Sequence, residues 1–352
     1  MSVGLLVIST LIIVYIQAVI YKYWGLKGIT YSRSFGSPHV FEGEEVQMIE
    51  IISNNKLIPV LWLQLESEID SHLQFQKQAN LDIKHQQFHR SFFSILPFTR
   101  ITRKHTIKCV KRGFYTLKSA VLSCKDALSI IQTYEELTLS AGLLVYPKII
   151  PVKNLNLPCR SWIGDTVVRR WIIDDPFMIS GVRDYQYGDS MNKINWKTTA
   201  RTGSIKVYNT DYTSNMKIII LLNIQSNEES WDDNTDAEIM EKAISYCASI
   251  AYFLISKGIE TGFCCNCHSS RDDETPILIP AGSGHINLLL ESMAMMQLKR
   301  SKMFHFFMDE IPDSFIESTD FLVVTNYVDA LMEKSIQRIK DMACSVEILK
   351  LV

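Results

Sequence analysis

Three patterns of apolar and polar positions follow one another along the chain. The first is a continuous apolar run, MSVGLLVISTLIIVYIQAVIY, with no charge before Lys22. At ~1.5 Å per helical residue, such a run spans a hydrocarbon core of ~30 Å, which predicts a transmembrane anchor over residues 1–24. A cleaved signal peptide is the rival reading, but no basic segment precedes the run and IQAVIYKYWG offers no small-x-small cleavage site. Tyr15, Tyr21, Tyr23 and Trp24 suit the aromatic belt at a membrane interface. Lys22, Lys27 and Arg33 follow the run while nothing basic precedes it. The positive-inside rule then predicts a single pass through the cell membrane with the large C-terminal part in the cytoplasm.

The second pattern is a period of two. VQMIEIISNN, PVLWLQLESEI, SFFSILPFTRITRKHTIKCV and GFYTLKSAVLSC alternate as half-buried strands do, and Asn54-Asn55 and Arg112-Gly113 punctuate them as turns. An antiparallel β-sandwich-like domain over residues 28–150 is the expectation. Between Ile83 and Lys125 there is no Asp or Glu, whereas Lys84, Arg90, Arg100, Arg103, Lys104, Lys108, Lys111, Arg112, Lys118 and Lys125 all occur. This predicts a locally positive face.

The third pattern begins beyond an irregular connector at 151–182. In residues 183–352, apolar runs (MKIIILLNI, ETGFCCNC, DFLVVTN, SVEILKLV) alternate with helical stretches near 236–257, after Ser283 and at 328–342. Continuous apolar strands separated by helices signal an α/β doubly wound, Rossmannoid sheet with mostly parallel strands. The crossover rule places helices on both of its faces.

Composition narrows the partners. The 352 residues are 47% hydrophobic and 21% charged, with a formal net charge of -2. Such a chain has globular cores and no global drive toward nucleic acid. Eight cysteines without regular spacing do not form the framework of a small disulfide scaffold.

The densest chemistry lies in VRDYQYGDSMNKINWKTTARTG. Asp189 or Ser190 is suited to cap a helix over about Met191–Arg201, and Gly203 to end it in the left-handed conformation. On that helix Lys193, Lys197 and Arg201 fall at i, i+4 and i+8, a row of cations beside Trp196. The structural alternative packs Trp196 into the domain and pairs Arg183 or Arg201 with Asp184, Asp189 or Asp211.

The stretch DPFMISGVRDYQYGDSMNKINWKTTARTGSIKVYNTDYT closely resembles the signature of the domain of unknown function 58 family. That signature reads Arg-x-Tyr-x-x-Gly-Asp, Ile-x-Trp-Lys, Ala-Arg, then Gly before a strand. The matching positions are Arg183, Tyr185, Gly188, Asp189, Ile194, Trp196, Lys197, Ala200, Arg201 and Gly203. KRGFYTLKSAVLSCKDALSI, LLVYPKI and IPAGSGHINLLLESMAMMQ resemble further family segments. The chain departs from the family at Asn192-Lys193, where members often carry two basic residues, and in having one N-terminal hydrophobic segment rather than two. The resemblance implies a membrane-anchored protein with a von Willebrand A-like region, often encoded beside MoxR-type AAA+ ATPases.

Other candidate chemistries have weaker support. A metal-binding von Willebrand A loop reads Asp-x-Ser-x-Ser, because a hard cation needs anionic oxygen ligands. Here Asn223, Gln225 and Asn227 stand in those positions, so no metal or other cofactor is expected. CCNCH, containing Cys264, Cys265, Cys267 and His268, formally matches haem attachment, yet adjacent strand residues face opposite ways and buried thiols explain it better. HQQFH, His85 to His89, has zincin spacing without the general-base Glu and is expected at the surface. AGSGHIN lacks the Lys-Ser/Thr of a phosphate loop.

These features together predict a membrane-anchored, noncatalytic interaction or scaffold protein. It would act with a MoxR-type AAA+ ATPase, or another protein partner, in assembly or maturation of envelope-associated complexes. The basic β domain adds an expected contact with anionic lipid. The alternative is an enzyme acting on a cell-envelope or phosphorylated substrate through Asp184, Asp189, Asp211 and Lys197. General acid–base work of that kind needs carboxylates of separated pKa in a cleft.

Overall fold

The structure is a computed structural model. It describes residues 3–350 apart from 76–80, 85–87, 152–178, 187–188, 211–216, 226–236, 271–272 and 344. The chain divides into two compact units, Met1–Lys148 and Ile149–Val352.

In the first unit the apolar run forms helix α1 (Val3–Trp24), long and apolar enough to cross a membrane. Ten strands follow among the described residues: β1 (Ile29–Phe35), β2 (His39–Phe41), β3 (Glu45–Asn54), β4 (Val60–Glu68), β5 (Leu73–Phe75), β6 (Leu81–Lys84), β7 (Phe88–Ile95), β8 (Arg100–Cys109), β9 (Gly113–Lys125) and β10 (Gln132–Tyr146). They form two sheets, ordered β1-β3-β8-β5 and β2-β10-β9-β4-β7-β6. All pairings are antiparallel except that of β2 with β10.

The period of two explains this packing, since alternate side chains point to one face. Ile52, Leu63, Leu65, Phe93, Ile95 and Leu122 form one core cluster between the sheets, and Met48, Ile107, Leu117 and Leu143 a second. Fully burying each such side chain contributes ~1.5–3 kcal/mol. The expected positive face is only partly assembled: Arg100, Lys104 and Lys108 share the exposed phase of β8, while other cations are used elsewhere. Arg103 lies 4.0 Å from the Phe93 ring centre, Arg90 pairs with Glu66 at 2.8 Å, and Arg112 is buried. Alternation sends Arg103 and Lys104 to opposite sides of β8, so only part of a basic run in sequence makes one face.

In the second unit, β11 (Ile179–Asp184) pairs antiparallel with β12 (Lys206–Thr210), and a short helix α2 (Trp196–Thr202) lies between them in sequence. Then come β13 (Lys217–Leu222), α3 (Ala237–Ser256), β14 (Glu260–Cys265), β15 (Cys267–His268), β16 (Ile277–Gly282), α4 (Ile286–Met295) and β17 (Gln297–Arg300). The chain closes with α5 (Phe304–Asp309), α6 (Asp313–Ile316), β18 (Asp320–Thr325), α7 (Ala330–Met342) and β19 (Ser345–Lys350).

The central sheet runs β16-β14-β13-β18-β19, parallel except for the edge strand β16. β13 sits in its middle, and its five residues after Lys217 are buried, as an apolar strand covered on both faces must be. Ile219, Leu221, Phe321 and Val323 pack against α5, α6 and α7. Helix α3, also long and apolar enough to cross a membrane, packs on β13 and β14 and buries ten residues, so it is a core helix. β16 pairs so closely with β14 that a Cβ at Gly262 would lie 2.6 Å from the Ile279 carbonyl oxygen. Only glycine fits there.

Candidate functional site

The signature stretch folds as a small hairpin. Arg183 lies opposite Val207, and Asp184 opposite Lys206, whose Nζ meets the Asp184 carboxylate at 2.6 Å. Beyond β11, Tyr185 N–H donates to the Ile205 carbonyl. Asp189 N–H donates to the Gln186 carbonyl at 3.0 Å, and the Arg183 guanidinium donates two parallel hydrogen bonds to the Asp189 carboxylate, both 2.7 Å. This is the bidentate geometry that suits a planar fork. The backbone N–H of Gln186 adds a third bond to Asp189 at 2.8 Å. Hydrogen bonds from Arg183 and then Gln186 pull the Asp189 carboxyl down to about 2.

The helix that follows Asp189 is shorter than the expected Met191–Arg201. Met191–Lys193 forms one 3-10 turn, Ile194 bridges to Val207, and only Trp196–Thr202 is α-helical. Ser190 makes no side-chain cap bond, and Asp189 is occupied by Arg183. The cap is Asn195, whose Oδ1 accepts from Thr198 N–H at 3.0 Å. Gly203 closes the helix at φ 71°, its N–H bonded to the Thr199 carbonyl, as the sequence predicts. Lys193 therefore stands before the helix, and the cation row reduces to Lys197 and Arg201.

Trp196 does not pack into the domain; it is 66% exposed, with Met191 and Ile205 also exposed on this hairpin. Lys197 and Arg201 are exposed, and neither is ion-paired with another described residue. Gly188 and Asp211 lie outside the described residues, as do His85 and Asn227. The hairpin thus holds its two described carboxylates in ion pairs and turns an indole and two cations outward. A carboxyl held at about 2 is a poor proton acceptor near neutral pH.

A second cluster stands at the C-terminal ends of β13, β14 and β18, the crevice where the order of an open α/β sheet reverses and where ligands bind in such folds. Asn223, Gln225 and Asn266 are buried there. Asn223 Nδ2 donates to Thr325 Oγ1 at 3.0 Å, while its Oδ1 accepts from Gln225 N–H at 2.9 Å and from Asn266 Nδ2 at 3.4 Å. Asn266 Oδ1 accepts from Ile224 N–H, and Gln225 Oε1 from Phe304 N–H. The amide oxygens are taken up by protein donors, and none of the three amides carries the anionic charge a hard cation seeks. Cys264, Cys265 and Cys267 are fully buried nearby in sequence. Burial pushes the Cys264 thiol up to about 12, so it stays protonated.

A third cluster lies inside the β-sandwich, and nothing in the sequence reading singled it out. Arg33 donates to Glu50 at 2.5 Å and to Ser67 at 2.8 Å; His105 Nε2 lies 3.0 Å from the other Glu50 oxygen, and the Tyr31 hydroxyl donates to Glu50 at 2.8 Å. Burial alone raises the Glu50 pKa, but the His105 hydrogen bond and the Arg33 charge overcome it and hold the carboxyl at about 2. His89, expected at the surface, is 1% exposed, and among the described residues neither ring nitrogen has a hydrogen-bond partner. It stacks on Phe75 at 4.9 Å. Ligand atoms of Glu50, His89 and His105 lie within 4.8 Å of one another, a spacing a metal ion can use. The Arg33 guanidinium already balances Glu50, however, and a divalent cation here would meet that like charge in a dry interior.

No curated protein matches the chain. Among solved structures, a non-cellulosomal cohesin from Archaeoglobus fulgidus is 10% identical, covering 33% of this chain and 91% of the cohesin, with a TM-score of 0.23. A type I cohesin–dockerin complex from Clostridium thermocellum gives 8% identity, 33% and 99% coverage and a TM-score of 0.24. Native alpha-2-macroglobulin from Escherichia coli gives 8% identity, 32% and 24% coverage and a TM-score of 0.25. Likenesses this slight carry no argument. The family comparison is informative: the model described as "Protein of unknown function DUF58" matches residues 181–349, from the signature hairpin through β19. That match supports the DUF58 family for this chain.

Proposed function

We propose that the protein is a noncatalytic interaction protein, held to the cell membrane by α1, with its large C-terminal part in the cytoplasm. The signature hairpin docks a protein partner through Trp196, Lys197 and Arg201. The partner proposed is a MoxR-type AAA+ ATPase, and the shared task is assembly or maturation of envelope-associated complexes. The observation that carries the reading is the outward Trp196 on a helix fixed at both ends by Asn195 and Gly203. A rigid aromatic beside exposed cations is the composition of an interface anchor, whereas an indole left in water without a partner is a cost.

The von Willebrand A-like reading of the second unit belongs to the same proposal. Its support is a mainly parallel sheet with helices on both faces and a polar cluster at the strand ends where a metal loop would sit. In this chain the amides of Asn223 and Gln225 make that cluster a structural knot, which directs recognition to the hairpin. The test is a pull-down of the full chain from detergent-solubilised membranes, read by mass spectrometry, for wild type, Trp196→Ala and Arg201→Ala. The expected result is loss of one co-purifying ATPase from both folded variants. Retention of every partner by both would remove this face as the interface.

A further inference from the structure

Loops on the surface of a soluble sandwich are ordinarily polar, but at one end of this one they are not. The segments 25–28, 55–59, 96–99 and 126–131 join α1 to β1, β3 to β4, β7 to β8 and β9 to β10. The strand registers bring them to the same end: Ile29 lies opposite Asn54, Ser53 opposite Arg100, Val60 opposite Ile95, and Lys125 opposite both Trp62 and Gln132. Three of these loops carry Leu57, Leu96, Phe98, Leu128 and Ile130, each between 54% and 77% exposed. Phe98 and Ser129 hold φ values of 51° and 58°, a left-handed conformation that costs a bulky residue of order 1 kcal/mol or more.

Helix α1 leaves the domain at this end, and the junction is braced. Ala18 and Tyr21 are buried, and the Tyr21 hydroxyl donates to the Pro59 carbonyl in the second loop. Lys56, from the same loop, donates to the Trp24 and Gly25 carbonyls at the helix end, where acceptors lack intrahelical partners. The last two turns of α1 are thus held at the level of the loops.

That seat creates a length problem. The 22 residues of α1 measure about 33 Å, enough for a hydrocarbon core of ~30 Å. If the loops stayed in water, the seated residues 18–24 would be drawn out of lipid. About 22 Å would remain, too short to span without thinning the bilayer. Sinking the loop tips to the depth of those turns removes the mismatch and covers the exposed apolar side chains together.

We infer that this end of the β domain is a second membrane contact. Loops 55–59, 96–99 and 126–131 embed their tips in the interfacial layer of a phospholipid bilayer around α1, and Lys27 faces the headgroups. The contact is apolar and made by loops, unlike a basic strand face reading anionic lipid. It deepens, and rests on, the reading of α1 as a membrane anchor.

The test uses the full chain in phosphatidylcholine–phosphatidylglycerol nanodiscs, with bimane on Phe98→Cys, on Leu128→Cys, and on Val110→Cys at the opposite end of the sandwich. Unsubstituted chain is the labelling blank, and Leu57→Cys gives an independent readout should either loop change disturb folding. Quenching at 57, 98 and 128 by doxyl-labelled lipid but not by iodide, with the reverse at 110, is the expected result. Iodide quenching at the loop positions overturns the proposal. If the chain still resists carbonate extraction from membranes in that case, the anchor reading stands and only the loop contact falls. If carbonate releases the chain, both fall.

Discussion

Arg33–Glu50 and Arg183–Asp189 are the same chemical pair in opposite surroundings. The first has both side chains fully buried between two sheets, with His105, Tyr31 and Ser67 filling the remaining hydrogen-bond positions. The second stands on an exposed hairpin, bidentate but open to water. Burial makes each partner of the first pair indispensable to the other, because an isolated charge there has no solvent to fall back on. Exposure makes the second pair a local brace that neutralises a carboxylate and leaves the neighbouring Trp196, Lys197 and Arg201 exposed. The β domain therefore spends its polar groups on structure, and the hairpin displays its own.

The largest expected effect breaks the buried pair. Arg33→Leu strands Glu50 and is expected to cost ~3–5 kcal/mol in chemical denaturation, whereas Arg183→Leu leaves stability nearly unchanged. Equal losses would erase the contrast.

The next effect comes from pH. Burial, reinforced by the charges of Arg33, His105 and Arg103 and opposed by Glu50, holds His89 down from its ordinary 6.5 to about 4. The unfolded chain therefore binds a proton between those values that the folded domain refuses. Stability from this group is complete above pH 6.5 and is lost as pH falls toward 4, by about 3 kcal/mol in all. Denaturation midpoints across that window should show the slope, and His89→Phe, which keeps the stack on Phe75 and removes two unpartnered nitrogens, should flatten it. The exposed Arg183–Asp189 pair acts mainly below that window, since its carboxyl moves from an ordinary 3.8 to about 2 and its contribution is lost as pH falls below about 5.

A third measurement sharpens the hairpin side. Gly203→Ala forces a side chain into the left-handed C-cap and is expected to destabilise the local fold by about 1 kcal/mol, seen as faster amide exchange at Thr198 and Thr199. Smallest in stability, though not in binding, is Trp196→Ala: the midpoint of unfolding should hardly move, because little of the indole is buried.

Much of the architecture is legible in the period of the apolar residues. The uncharged run, the period-two strands and the apolar segments between helices become α1, the two sheets and the mainly parallel sheet. What failed in the signature was a competition between spacings. Ile194 continues a helical pattern from Met191, yet it bridges to Val207 and stops the helix, and Asn195 three residues before Thr198 was the overlooked cap.

The buried cluster was missed for another reason. Its members come from β1, β3, β4, β7 and β8, and no local motif contains them. A signal was present all the same: Glu50 falls in phase with Val46, Met48 and Ile52, His105 with Ile107 and Cys109, and His89 with Phe93 and Ile95. A charged or titratable residue on the core phase of a strand marks a buried polar network. The apolar loop end was hidden for a different reason: Leu96 and Phe98 fall inside SFFSILPFTRITRKHTIKCV, which reads as one strand run but divides into β7 and β8 around a loop, and the other loops carry only one or two exposed apolar residues each. The partner proposed for the hairpin, in contrast, is named by no residue pattern.

The central claim is that the signature hairpin recognises rather than supports. It is tested most directly by quantitative co-purification from solubilised membranes of wild-type and Trp196→Ala full chains, with thermal unfolding followed on the same preparations. The prediction is an unchanged midpoint with partner recovery reduced on the order of 30-fold, the equivalent of ~2 kcal/mol for one interface anchor. Full partner recovery, or a midpoint that falls together with it, would contradict the account.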